Sequence, residues 1–185
     1  MKKVFIIAAL AAVSLTGCDK ITHDFTAENV KFSFEAVTVD GATAKSAMTG
    51  TAVEAISSFT VEREVNLAEI GSSELTEYLS RITKVAVDNP LLEVTFQPAG
   101  EYTIYDLTLT AEGVSGSLVI PSYTVGEDFI PPTNMNTYTA AFIMKLISAE
   151  KLDVTVAGQT DAPKDVQIKI SYEYDLVFTA KLNND

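Results

Sequence analysis

From Val166 to Leu182 every even-numbered residue is apolar: Val166, Ile168, Ile170, Tyr172, Tyr174, Leu176, Phe178, Ala180 and Leu182. Between them stand Gln167, Lys169, Ser171, Glu173, Asp175, Thr179 and Lys181, with Val177 the apolar exception. Side chains alternate between the two faces of a strand, so a period of two without glycine or proline marks a half-buried β-strand. Seventeen residues at about 3.3 Å each would reach roughly 56 Å, more than the width of a small domain. The segment is therefore expected to bend, or to divide into two abutting strands.

The same chemistry recurs upstream. Segments 31–39, 58–67, 91–96, 101–111, 116–125 and 152–157 are rich in Val, Ile, Phe, Tyr and Thr, the residues that suit a pleated, half-buried surface. Turn-forming residues separate them at Asp40-Gly41, Pro98-Ala99-Gly100, Glu112-Gly113, Pro131-Pro132 and 158–163. Seven or more strands at this spacing predict a mainly β fold, a two-sheet antiparallel β-sandwich of immunoglobulin-like or similar type, with one or two short helices. One helix is expected behind the caps Ser72 and Ser73, where Leu75, Tyr78, Leu79, Ile82 and Val85 recur at helical spacing, and Asp88-Asn89-Pro90 should end it. Residues 138–151 fit either a helix, through Phe142, Ile143, Leu146 and Ile147, or a strand, through Phe142, Met144 and Leu146; helix is the expectation.

The first residues set the cellular context. Lys2 and Lys3 are followed by an apolar run from Val4 to Val13 and then by Leu15-Thr16-Gly17-Cys18, the layout of an export signal. The run is about 12 residues long, short of the roughly 20 that cross a bilayer. Leu15-Thr16-Gly17-Cys18 resembles the lipobox of bacterial lipoproteins. That resemblance implies cleavage before Cys18, a diacylglyceryl group on its thiol and usually a further acyl chain on the new amino group. Two or three acyl chains anchor a protein firmly, at about 0.8 kcal/mol per buried methylene. The expected organisation is a signal peptide over 1–17, a lipidated tether over 18–30 and one β-sandwich domain over 31–185, attached to the cell envelope at the outer membrane through Cys18. Asp19 is similar to the inner-membrane retention signal of enterobacterial lipoproteins, and the acids in Asp19-Lys20-Ile21-Thr22-His23-Asp24 are similar to the surface-export signal of Bacteroidetes-type lipoproteins, so the side reached stays open. The overall layout resembles small envelope lipoproteins of Bacteroidetes-type bacteria, which implies a β-sandwich and brings no catalytic residue with it.

Charge narrows the partners. The chain has 25 Asp and Glu against 13 Lys and Arg, a formal charge of -12; loss of Lys2 and Lys3 with the leader leaves 11 bases and a charge of -14. Arg63 and Arg81 are the two arginines, and no lysine cluster supplies the basic stripe that phosphate backbones need, so nucleic acid is not an expected partner.

Catalytic sets are thin. Cys18 is the single cysteine and His23 the single histidine, so a Ser-His-Asp or Cys-His arrangement and a zinc site lack their residues; His23 is expected as a solvated tether residue. A calcium site at Asp161 and Asp165 lacks the closing Glu of an EF-hand, and a turn accounts for both aspartates. A carboxylate pair for glycoside hydrolysis is weakly indicated, since acids in such abundance usually solvate a surface. With no tryptophan, sugar stacking would fall to Tyr102, Tyr105, Tyr123 and Tyr138, whereas Tyr172 and Tyr174 belong to the core face of the last strand. The loop 126–136, with Phe129, Ile130 and its proline pair, is a candidate contact surface, though a rigid, edge-protecting connection is the favoured reading. The expected function is a non-enzymatic interaction or structural module of the envelope, without cofactor or metal, whose partner is an envelope protein or glycan. The rivals are a fimbrial or pilus-associated subunit, which would need a detachable edge strand, a glycan-binding lipoprotein and, less favoured, a carbohydrate-active hydrolase.

Overall fold

A computed structural model describes residues 21–40 and 56–182. Eight strands form two antiparallel sheets: β1 (Thr22–Val37), β2 (Val39–Asp40), β3 (Ser57–Asn66), β4 (Ile82–Gln97), β5 (Thr103–Ala111), β6 (Leu118–Thr124), β7 (Lys151–Thr160) and β8 (Gln167–Lys181). One sheet has the order β1-β8-β4 and the other β2-β3-β7-β5-β6. The fold is a two-sheet β-sandwich with two α-helices, α1 (Ser73–Tyr78) and α2 (Met135–Ala149).

The last strand is the axis of the smaller sheet. Its even positions from Ile168 to Ala180 are buried, and they meet buried partners on both sides, as in the rungs Phe32–Tyr172–Leu92 and Phe34–Ile170–Val94. Full burial of a side chain the size of Phe178 contributes about 1.5 to 3 kcal/mol, so this face is a major part of the core. Of the two expected ways to shorten the last strand, division into two abutting strands does not occur. Strand β8 runs unbroken through 15 residues because both neighbours are as long, at 16 residues each. Length is accommodated by bulges in the neighbours, between Ala27 and Val30 in β1 and between Asp88 and Leu91 in β4. A bulge raises local twist without breaking the strand opposite it.

Two boundaries differ from expectation. The tether was expected to reach Val30, yet β1 begins at Thr22, and Phe25, Ala27 and Val30 are core residues. Apolar residues alternate there too, but the bulge at Glu28-Asn29 interrupts the period and hides the strand. The helix behind Ser72 is also shorter than its periodicity promised. The Ser72 hydroxyl accepts the Leu75 N–H at 3.2 Å, α1 ends at Tyr78, and a 3-10 turn, Leu79–Arg81, leads into β4. Ile82 and Val85 belong to that strand, where Val85 and Val87 are buried against β8. Alternation of β-branched residues outweighs a helical spacing that two turns of sequence could satisfy. Pro90 does not end a helix; it lies at the bulge of an edge strand, where a missing N–H costs no ladder bond.

The two-way pattern at 138–151 resolves as helix. Met135, Tyr138, Thr139, Phe142, Ile143 and Leu146 of α2 are buried, and the helix packs against β4 and β7. Phe142 meets Phe32 edge to face at 5.6 Å. On the other flank, β3 lies beside β1. There the Arg63 guanidinium stands 4.9 Å over the Phe34 ring and donates to both Glu69 oxygens at 3.1 and 2.8 Å.

Candidate functional site

On the outer face of the three-stranded sheet, odd positions of β8 alternate with side chains of β1 and β4. Register puts Lys31 across from Glu173, Ser33 across from Ser171 and Glu93, Glu35 across from Lys169 and Thr95, and Val37 across from Gln167 and Gln97. Lys31 donates to Glu93 at 2.6 Å, reaching diagonally over β8, and lies 4.0 Å from Glu173. Beneath this bridge Ser171 is 2% exposed and shares a 2.9 Å hydrogen bond with Ser33. That is why an odd position of β8 is buried. The Glu93 hydrogen bond raises the Lys31 pKa, and the Lys31 bond lowers that of Glu93, each favouring the charged partner.

Farther along the same face, at the end where β1 and β4 finish and β8 begins, is an open depression of about 570 Å³. Glu35, Val37, Thr95, Gln97, Gln167 and Lys169 line it, with Ala36 and Ile168 in its floor. Glu35 and Lys169 form an ion pair at 3.2 Å, so the local charges offset. What remains is a hydroxyl, two carboxamides side by side and an apolar wall, exposed in part at Val37. Carboxamides donate and accept at once, which suits a neutral ligand rich in hydroxyl or amide groups. The single carboxylate of the depression is paired with an ammonium.

The residues singled out from sequence are dispersed. Cys18, which carries the lipid expectation, lies outside the described residues, as does Asp19. His23 is not a solvated tether residue: it is half-buried at the start of β1, 5.1 Å from the Tyr78 ring and 5.9 Å from that of Phe25. Asp161 accepts the Thr103 N–H at 2.8 Å and Asp165 sits in a turn with φ of 63°, so each has a backbone role. Among the described residues no group of three His, Cys, Asp or Glu side chains converges as a metal site would.

The four tyrosines do not assemble into a platform. Tyr138 is buried on α2; Tyr102 packs edge to face on Phe96 at 4.9 Å; Tyr123 meets Phe129 at 6.0 Å; Tyr105 is half-buried on β5. In the loop 126–136 the Ile130 side chain is 85% exposed while Phe129 is tucked against Tyr123. Tyr172 and Tyr174 are core residues, as their parity required. Burial pushes both hydroxyls up. The interior space they share with Phe32, Phe142 and Thr139 measures about 10 Å³, too small for any organic ligand.

Sequence reasoning missed the depression. Gln167 and Lys169 were legible as outward residues of the last strand, but nothing local tells that Glu35 and Gln97 become their neighbours.

No protein-family model matches the chain, and no curated protein matches it.

Proposed function

We propose that this chain is a lipid-anchored protein of the cell envelope, fixed to the outer membrane through Cys18, and that its β-sandwich is a non-enzymatic interaction or structural module. The observation that carries the reading is the geometry of β1. Three residues separate Cys18 from the start of the strand at Thr22, and the opposite end of the same strand supplies Glu35, Ala36 and Val37 to the depression. Sixteen residues of strand span roughly 50 Å. An anchor at one end and a binding surface at the other is the arrangement of a module that presents itself away from its membrane.

A binding role is favoured over catalysis by the chemistry of the surface, where the carboxylate nearest the ligand space is engaged by Lys169 and the single histidine is held among aromatic rings. Adjacent carboxamides at Gln97 and Gln167 favour a glycan as the ligand class, which makes a glycan-binding lipoprotein the second reading.

The test is mass spectrometry of the mature N-terminal peptide. A diacylglyceryl-modified Cys18 as first residue is expected, and Cys18→Ala should accumulate as the uncleaved precursor. An unmodified thiol, or normal processing of Cys18→Ala, would refute the anchor. For the second reading, the double variant Gln97→Ala, Gln167→Ala should lose binding to envelope glycans that the parent retains.

A further inference from the structure

We infer that the end of the three-stranded sheet bearing Ile21 and Leu182 is a membrane-contact surface, seated on the phospholipid headgroups of the leaflet that holds the anchor. The inference rests on lipidation of Cys18, as proposed above, and adds which residues meet the bilayer and how the domain stands on it.

Three peptide units join Cys18 to Ile21, a reach of at most about 11 Å. Acyl chains hold the modified cysteine at the headgroup boundary, so Ile21 must lie within that distance of it. Two large aliphatic side chains are exposed there together. Ile21 is 56% and Leu182 38% exposed, and the Leu182 N–H donates to the Ile21 carbonyl at 2.9 Å, which holds them side by side. Aliphatic side chains at this depth enter the interfacial layer instead of facing water.

Charge orients the rest of the molecule. At this end Arg81, Lys84 and Lys181 are balanced by Asp24, Glu74 and Glu77 among the described residues. The broad faces are acidic: Glu35, Asp88, Glu93 and Glu173 outnumber Lys31 and Lys169 on one, and Glu62, Glu64 and Asp153 outnumber Lys151 on the other. Laid flat, either face would press net negative charge on lipid phosphates. Standing on its end, the domain meets those phosphates with balanced charge and an apolar pair in place of a net negative face, and it carries the depression roughly 50 Å outward.

The chain's single cysteine makes the test clean, because lipidation leaves an introduced thiol as the one site for a fluorophore. Ser80→Cys and Glu101→Cys, both exposed and at opposite ends of β4, are labelled in the full-length lipidated protein. Each is reconstituted into vesicles of phosphatidylethanolamine and phosphatidylglycerol containing a headgroup-nitroxide lipid. Quenching several-fold stronger at position 80 than at position 101 is expected. Combining Arg81→Ser, Lys84→Ser and Lys181→Ser should bring the two positions closer together. Equal quenching at both positions, or a neutralised variant quenched like the parent, would overturn the inference. Two labels per chain would show a free Cys18 thiol and overturn the anchor itself, a result separate from orientation.

Discussion

The Asp175 carboxylate accepts the backbone N–H of Asn29 at 2.9 Å, from the middle of the central strand to the bulge of its neighbour. Its second oxygen accepts the Asn89 side-chain amide at 2.7 Å, at the bulge on the other side. One carboxylate thus ties two of the three irregularities of the three-stranded sheet, those that face each other across β8. Through this tie three long strands coil together over one core face without any of them breaking. Replacing Asp175 with Ala should cost about 1.5 to 3 kcal/mol, the usual value of hydrogen bonds to a charged group, read as a lower urea midpoint. Asp175→Asn, which keeps one acceptor oxygen, should cost less. An unchanged midpoint in Asp175→Ala would show that the bulges hold without it.

Asn29 and Asn89 have φ of 55° and 49°, the left-handed region that side chains rarely adopt. Asn29 contributes its backbone N–H to Asp175, so Asn29→Gly keeps the bond and fits the conformation. Its unfolding midpoint should stay close to the parent's. Asn29→Val keeps the N–H as well but meets the steric cost of that region, about 1 to 2 kcal/mol. Equal stability of the two variants would contradict the left-handed bulge.

Tyr172 is wholly buried and its hydroxyl has no hydrogen-bond partner among the described residues. Tyr172→Phe removes that polar group while keeping the ring against Phe34, 6.2 Å away. The variant should be no less stable than the parent, and more stable by up to about 1 to 3 kcal/mol, the cost of burying an unpaired polar group. Burial first, then neighbouring Tyr174 and Tyr138, raises the Tyr172 pKa well above its ordinary 10.0. A raised folded pKa favours the neutral hydroxyl, so its contribution is intact below pH 10.0 and is lost as pH climbs beyond. In thermal melts above that pH the parent should lose stability more steeply than Tyr172→Phe.

Acid should act at the opposite flank. Burial pushes the Glu69 carboxyl up, but the Arg63 hydrogen bonds and the Asn66 N–H outweigh it and leave the pKa below its ordinary 4.5. A depressed folded pKa stabilises the fold above pH 4.5, and that contribution is lost as pH falls from there through the folded value. Glu69→Gln should flatten the acid limb of the stability curve without shifting the alkaline one. Both partners are partly exposed, so the effect will be modest and weaker in high salt. The same change unpairs Arg63 above Phe34, which a lower midpoint at pH 7 would register.

Much of the architecture was legible along the chain. The alternation at 166–182, the caps at Ser72 and the apolar spacing from Phe142 to Leu146 each state a local preference, and the sheet or helix that forms obeys it. Where expectations failed, two local preferences competed. Ile82 and Val85 satisfied a helical and a strand period at once, and the long empty flank of β8 decided for the strand. Glu28-Asn29 broke the period of β1, and pairing with Leu176 and Tyr174 on either side restored it.

The sequence by itself determined a β-rich domain and the buried face of its last strand, because alternation and turn chemistry are properties of neighbours in the chain. Only the tertiary structure decided that β8 lies at the centre of its sheet, that Asp175 ties two bulges, and that Glu35, Gln97 and Gln167 share one depression. Those relationships depend on strand register across long separations, 86 residues from Asn89 to Asp175 and 146 from Asn29 to Asp175. Register is set by the packing of the whole core, which no segment encodes alone.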